Sequence, residues 1–170
     1  MEVSTEPGIT KGIRSTLITV GALGLGYILY RQWQKNKEIA KANQASGQAD
    51  NELSQLLSQG IRPSYDDSQY TVFVDQLVQA MTGCGTDESA IYGVFGYVKN
   101  AADIRKLIIA FGVQYYQPCA WTSPISYAQW QLNDHAFGGS LATWLGYDLS
   151  SSEIGKINSI LASNGVNYSF

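Results

Sequence analysis

The sequence predicts an all-α protein: an N-terminal transmembrane helix, then five short helices, with a long aromatic loop between the third and fourth of the five. Three observations carry this reading. Residues Ser15 to Tyr30 hold no charged side chain and lie between basic and aromatic flanks. From Asp66 to Gly165 apolar residues recur at helical three- and four-residue spacing, punctuated by capping residues and glycines. No comparable run alternates apolar and polar residues as a half-buried strand requires.

Residues 1–14 read as an N-terminal tail and 15–30 as the transmembrane helix. As a helix the uncharged run is about 24 Å long, short of the ~20 apolar residues a span normally needs. The flanks compensate. Lys11 and Arg14 at one end and Arg31 at the other can extend their charges to the interface, and Tyr27, Tyr30 and Trp33 suit an aromatic belt. A buried core helix and a cleaved signal peptide are the alternatives. The small-residue cleavage site of a signal peptide is missing, because Tyr30-Arg31-Gln32-Trp33 follows the apolar run. Arg31, Lys35, Lys37 and Lys41 outnumber Lys11 and Arg14, so the positive-inside tendency puts the C-terminal domain on the inner side of a single-pass membrane protein.

Residues 31–62 read as a polar, partly helical spacer rich in Lys, Gln, Asn and Ala, with no periodic face to pack before a short stripe of Leu53, Leu56 and Leu57. Gly60 ends that stripe, and Pro63 opens the folded domain, 63–170. The first domain helix is capped by Asp66, Asp67 or Ser68 and buries Phe73, Leu77, Ala80 and Met81. The second spans about Asp87 to Val98 with Thr86 as its cap. The third is capped by Asn100, with Asp103 at N3, and buries Ala101, Ile104, Leu107, Ile108 and Phe111. Leu141, Trp144 and Leu145 mark a short fourth helix. Ser150 and Glu153 form a capping box for the fifth, whose stripe is Ile154, Ile157, Ile160 and Leu161 and whose stop is Asn164-Gly165.

The corner between the first two domain helices reads Met81-Thr82-Gly83-Cys84-Gly85-Thr86-Asp87-Glu88. It resembles the annexin repeat, which carries M-x-G-x-G-T-D-E at its first corner; every fixed position of that pattern is present. The resemblance covers roughly Asp66 to Gly165. It extends to the third helix, where Arg105 stands in the place of the family's arginine, and to Leu145–Ser150, which looks like its short connection between fourth and fifth helices. It implies a five-helix annexin-like bundle and a calcium site formed by the carbonyls of Met81, Gly83 and Gly85 with the carboxylate of Asp148. Calcium is the one cofactor so implied, and none is required. Two departures stand out: annexins usually have four repeats and this chain has one, and the family repeat lacks a stretch like Tyr116 to Gly139.

That stretch is distinctive in its own right. No charged residue occurs from Leu107 to Asn133, while Tyr115, Tyr116, Trp121, Tyr127 and Trp130 are interleaved with Pro118, Pro124, Ser, Gln and Asn. Rigid aromatics with few charges suit the core of a protein interface, so Tyr116, Trp121, Tyr127 and Trp130 are the candidate partner-binding residues. A loop packed over a small core is the other reading.

Charge and cysteine usage exclude several classes. The net charge of -3 offers no basic field for nucleic acid. Residues 1–60 hold six bases against five acids, and residues 61–170 five against nine. Cys84 and Cys119 form no disulfide framework or metal-cluster spacing. Either could be paired with His135, the only histidine, as nucleophile and base, but no third group orients such a pair. No Lys-Ser or Lys-Thr follows Gly83 and Gly85, so they make no phosphate loop. The expectation is a non-enzymatic protein, anchored in the lipid bilayer through residues 15–30 and engaged with a protein partner or with itself. Structural or assembly roles in a cell envelope or a membrane-containing virion fit, with a calcium-dependent membrane- or partner-binding module as the alternative.

Overall fold

The computed structural model describes the backbone of residues 9–83, 85–116 and 137–170, and the side chains of these except at 9–29, 31, 116, 137 and 138. Among the described residues the protein is all-α apart from one short ribbon: α1 (Ile9–Ser58), α2 (Asp67–Met81), α3 (Glu88–Gly96), α4 (Ala101–Phe111), β1 (Gln114–Tyr116), β2 (Phe137–Gly139), α5 (Leu141–Asp148) and α6 (Ser151–Ser163). Contacts divide the chain into two units, Met1–Lys37 and Glu38–Phe170.

In the first unit, residues 15–30 lie within α1, but their side chains, Tyr30 excepted, fall outside the described residues. Among the described residues no helix is long and apolar enough to cross a membrane.

The second unit holds the core. α2 contributes Tyr70, Phe73, Val74, Leu77 and Met81; α3 Ile91, Val94 and Phe95; α4 Ile104, Leu107, Ile108 and Phe111; α5 Leu141, Trp144 and Leu145; α6 Ile157 and Leu161. These are the periodic stripes of the sequence, with Ile154 and Ile160 half-buried at the edge and Ala102 rather than Ala101 fully inside. α2 packs on α3, α4 and α5, while α6 packs on α3 and α5. The caps follow local chemistry. Asp66 accepts from the Gln69 amide at 2.9 Å to start α2. Asn100 with Asp103, and Ser150 with Glu153, form complete capping boxes on α4 and α6. The ends of α1 and α6 share one motif. Ile61 N donates to Leu56 O and Val166 N to Leu161 O, each at 2.9 Å, around Gly60 and Gly165 at φ +83° and +75°.

Two features depart from the sequence reading. The expected spacer is not without a packing face: Ala42, Ala49 and Leu53, seven and four residues apart, are buried, and Ala49 joins the core cluster. Glu52 pairs with Arg105 of α4, whose guanidinium also lies 4.6 Å from the Tyr168 ring. So α1 residues from Glu38 onward belong with the helical unit, whose boundary falls ahead of Pro63. A small-residue face of this kind carries too little hydrophobicity to stand out in a polar sequence. The second feature is the ribbon. β1 and β2 pair antiparallel with Gln114 opposite Gly139, Tyr115 opposite Gly138 and Tyr116 opposite Phe137. It joins the two ends of the segment 117–136. Three residues per strand are too few for an alternation pattern, and the pairing is non-local. Trp144 ties the ribbon to the core: its indole N–H donates to Gln114 O at 3.2 Å, and its ring meets Phe111 edge-on at 5.6 Å.

Candidate functional site

The corner between α2 and α3 is built locally. α2 ends at Met81, where the Thr82 hydroxyl donates back to Val78 O. Gly83 and Gly85 take φ +98° and +99°, a region costly for residues with a Cβ, and an added Cβ would meet no atom within 4 Å at either position. The glycines therefore serve the backbone path and not a close contact. Asp87 N donates to Ala80 O at 2.9 Å and closes the loop.

That closure decides the cap of α3. The sequence offered Thr86; the structure uses Asp87, whose carboxylate accepts from the Ala90 amide at 3.0 Å. Glu88 occupies the first turn, where the helix dipole favours an anion. Beside the corner a shallow open groove runs between α2 and α3, lined by Gln79 and Asp87 at one end and by Gly93 and Tyr97 further along. Tyr97 is more than half exposed and stacks on Phe73, ring centroids 5.5 Å apart and planes 13° from parallel.

Asp148 is the last residue of α5, at the turn into α6. It is half-buried, with Oδ2 out of contact with solvent. Met81 is buried and Gly85 exposed. The implied calcium set thus lies at two helix ends, the C-termini of α2 and α5, on helices that touch one another. It contains a single carboxylate. Among the described residues no three of His, Cys, Asp and Glu gather into a metal-holding group.

Of the candidate partner residues, Tyr116 ends β1 with its side chain outside the described residues, and Trp121, Tyr127 and Trp130 fall outside them altogether, as do Cys84, Cys119 and His135. Their neighbour Tyr115, at the base of the segment, is 55% exposed.

Sequence reasoning placed Asp103 at N3 of α4 and missed its wider role. Its carboxylate is fully buried. Oδ1 accepts from Ser64 N at 2.6 Å and from the Tyr70 hydroxyl at 2.7 Å. Oδ2 accepts from Ser64 Oγ at 2.9 Å, Lys99 N at 2.8 Å and Asn100 N at 3.2 Å. Asn100 adds a bond from its side-chain amide to Arg62 O at 3.1 Å. The connection from α1 is thereby fastened onto the start of α4. Burial, then the hydrogen bond to Asp103 and its negative charge, push the Tyr70 hydroxyl pKa well above the ordinary phenol value. The only signal in sequence is an acid three residues after an Asn cap, which does not reveal the distant donors.

The chain matches no protein-family model, no curated protein and no solved structure.

Proposed function

We propose that this is a non-enzymatic, membrane-anchored structural or assembly protein that presents a single annexin-like helical repeat as an interaction domain. The observation that carries the reading is the uncharged run Ser15–Tyr30, helical along its length, ahead of a separately compacting helical unit from Glu38. The reading of the domain as an annexin-like repeat is supported by the order of its five helices, α2 to α6, and by the Met81–Glu88 corner after the first. The excess of bases after the anchor over those before it favours the inner side for the domain, as in a cell envelope or a lipid-containing virion. The aromatic segment between β1 and β2, without a charged residue as far as Asn133, is the proposed contact surface for a protein partner or a second copy.

Membrane extraction tests the anchor: the full chain should stay with membranes in alkaline carbonate and need detergent for release, and release by carbonate or salt refutes the reading. The contact surface is tested by Trp121→Ala and Trp130→Ala, which should weaken assembly by about 2 kcal/mol or more while leaving thermal stability nearly unchanged.

A second reading, a calcium-dependent membrane- or partner-binding module, is favoured by the left-handed backbone at both Gly83 and Gly85, the conformation that lets a loop turn carbonyls outward. With one carboxylate in the set, affinity would be weak, in roughly the sub-millimolar to millimolar range. Titration calorimetry on a chain starting at Glu38 separates the readings. Heat that disappears in Asp148→Ala supports the module, and silence at several millimolar calcium leaves the corner a purely structural helix stop and start.

A further inference from the structure

The helix face that follows the uncharged run carries an ordered aromatic and cationic cluster. Tyr30, Trp33, Gln34 and Lys37 fall at i, i+3, i+4 and i+7 and so lie within one ~100° arc of α1. The Tyr30 and Trp33 rings lie 6.3 Å apart at 35°. Gln34 Nε2 donates to the Tyr30 hydroxyl at 2.7 Å, and Lys37 Nζ sits 4.5 Å from the centre of the Trp33 ring. Both rings stand well out of the protein, with Tyr30 57% and Trp33 54% exposed. Amphipathic rings held open on one helix face suit a boundary that is apolar on one side and wet on the other.

Charge specifies that boundary. Residues 31–37 contain Arg31, Lys35 and Lys37 and no acid. The next base, Lys41, is paired with Glu38 at 2.8 Å. Three bases and no acid thus fall in the seven residues that directly follow the uncharged run in the sequence. We propose that the Tyr30–Trp33–Lys37 face, together with Lys35, seats in the headgroup layer of an anionic lipid surface and fixes how deep the anchor helix sits. The inference rests on the membrane-anchor reading and adds the chemistry of the lipid it meets. An acidic protein would satisfy the same charge, but the face continues directly from the apolar run, which places lipid headgroups next to it.

The test uses the full chain in vesicles of mixed phosphatidylcholine and phosphatidylglycerol, with brominated acyl chains on one lipid or the other. Trp33 emission is isolated as the difference between the native chain and Trp33→Phe, so that the other tryptophans cancel. Quenching by each brominated lipid gives the relative occupancy of the two headgroups at Trp33. Preference for the anionic lipid should reach about five-fold per contributing base at low salt and shrink as salt is added. It should fall toward one in Lys35→Gln/Lys37→Gln, while that variant still floats with the vesicles. A ratio near one in the native chain, or a preference kept by the double variant, overturns the inference and leaves the anchor standing. A native chain that does not float with vesicles refutes the anchor and this inference together.

Discussion

Removing the Asp103 carboxylate should be among the most damaging single changes in the helical unit. Five donors converge on it: two backbone amides at the start of α4, one amide and one hydroxyl of Ser64, and the Tyr70 hydroxyl. A hydrogen bond to a charged group contributes about 1.5–3 kcal/mol. The sum of five would overstate the effect, since burying the carboxylate itself costs several kcal/mol that its removal returns. The remainder can be assembled from what is left behind. The buried Tyr70 hydroxyl loses its acceptor, about 1–3 kcal/mol. Half of the capping box goes, about 1 kcal/mol. The Ser64 contacts, at the rim and partly reachable by water, add about 1 kcal/mol. Asp103→Ala should therefore cost about 3–5 kcal/mol, a large share of the ~5–15 kcal/mol that stabilises a small domain. Asp103→Asn keeps the shape and one acceptor oxygen but turns an N–H₂ toward donors, and should cost about 2–3 kcal/mol. Urea unfolding of a chain starting at Glu38, followed by far-ultraviolet circular dichroism, measures both. Tyr70→Phe closes a double-mutant cycle and should cost clearly less in the Asp103→Ala background than in the native one. A loss below about 1 kcal/mol for Asp103→Ala, or additivity with Tyr70→Phe, would show that the network does not hold the connection in place.

Leu107→Ala and Ile157→Ala remove side chains with no exposed surface and should each cost about 2–5 kcal/mol in the same urea assay. Asp87→Ala removes the acceptor for Ala90 N and should lose about 0.5–2 kcal/mol, whereas Thr86→Ala should lose less; the reverse order would restore Thr86 as the cap. The folded state holds the Tyr70 phenol proton more tightly than the unfolded chain does. That contribution is fully present below the unfolded value of about 10 and is lost as pH rises beyond it. Unfolding free energy should thus be flat in this respect at neutral pH and fall in alkali, with a shallower fall in Tyr70→Phe.

Where structure depends on residues close in the chain, the sequence by itself determined it. Asn100 with Asp103 and Ser150 with Glu153 cap their helices through contacts spanning three residues. The stripe Ile104, Leu107, Ile108 and Phe111 announces one buried face whatever it packs against. The Gly83–Gly85 corner was legible for the same reason: alternating glycines between two apolar periodicities leave little but a tight turn. Even there, the choice between Thr86 and Asp87 as cap waited on the bond from Asp87 N to Ala80 O, because both side chains can cap and the backbone path selects one. Tertiary structure alone decided what depends on distant partners. Ser64 and Tyr70 reach Asp103 across 39 and 33 residues, and nothing local distinguishes that carboxylate from a solvated one. β1 and β2 exist only because each has the other. Ala42 and Ala49 extend the Leu53 position of the sequence stripe into a buried face, with side chains too small and too widely spaced to register as amphipathic. Burial there is conferred by the surface a residue meets, and a sequence read residue by residue carries no trace of that surface.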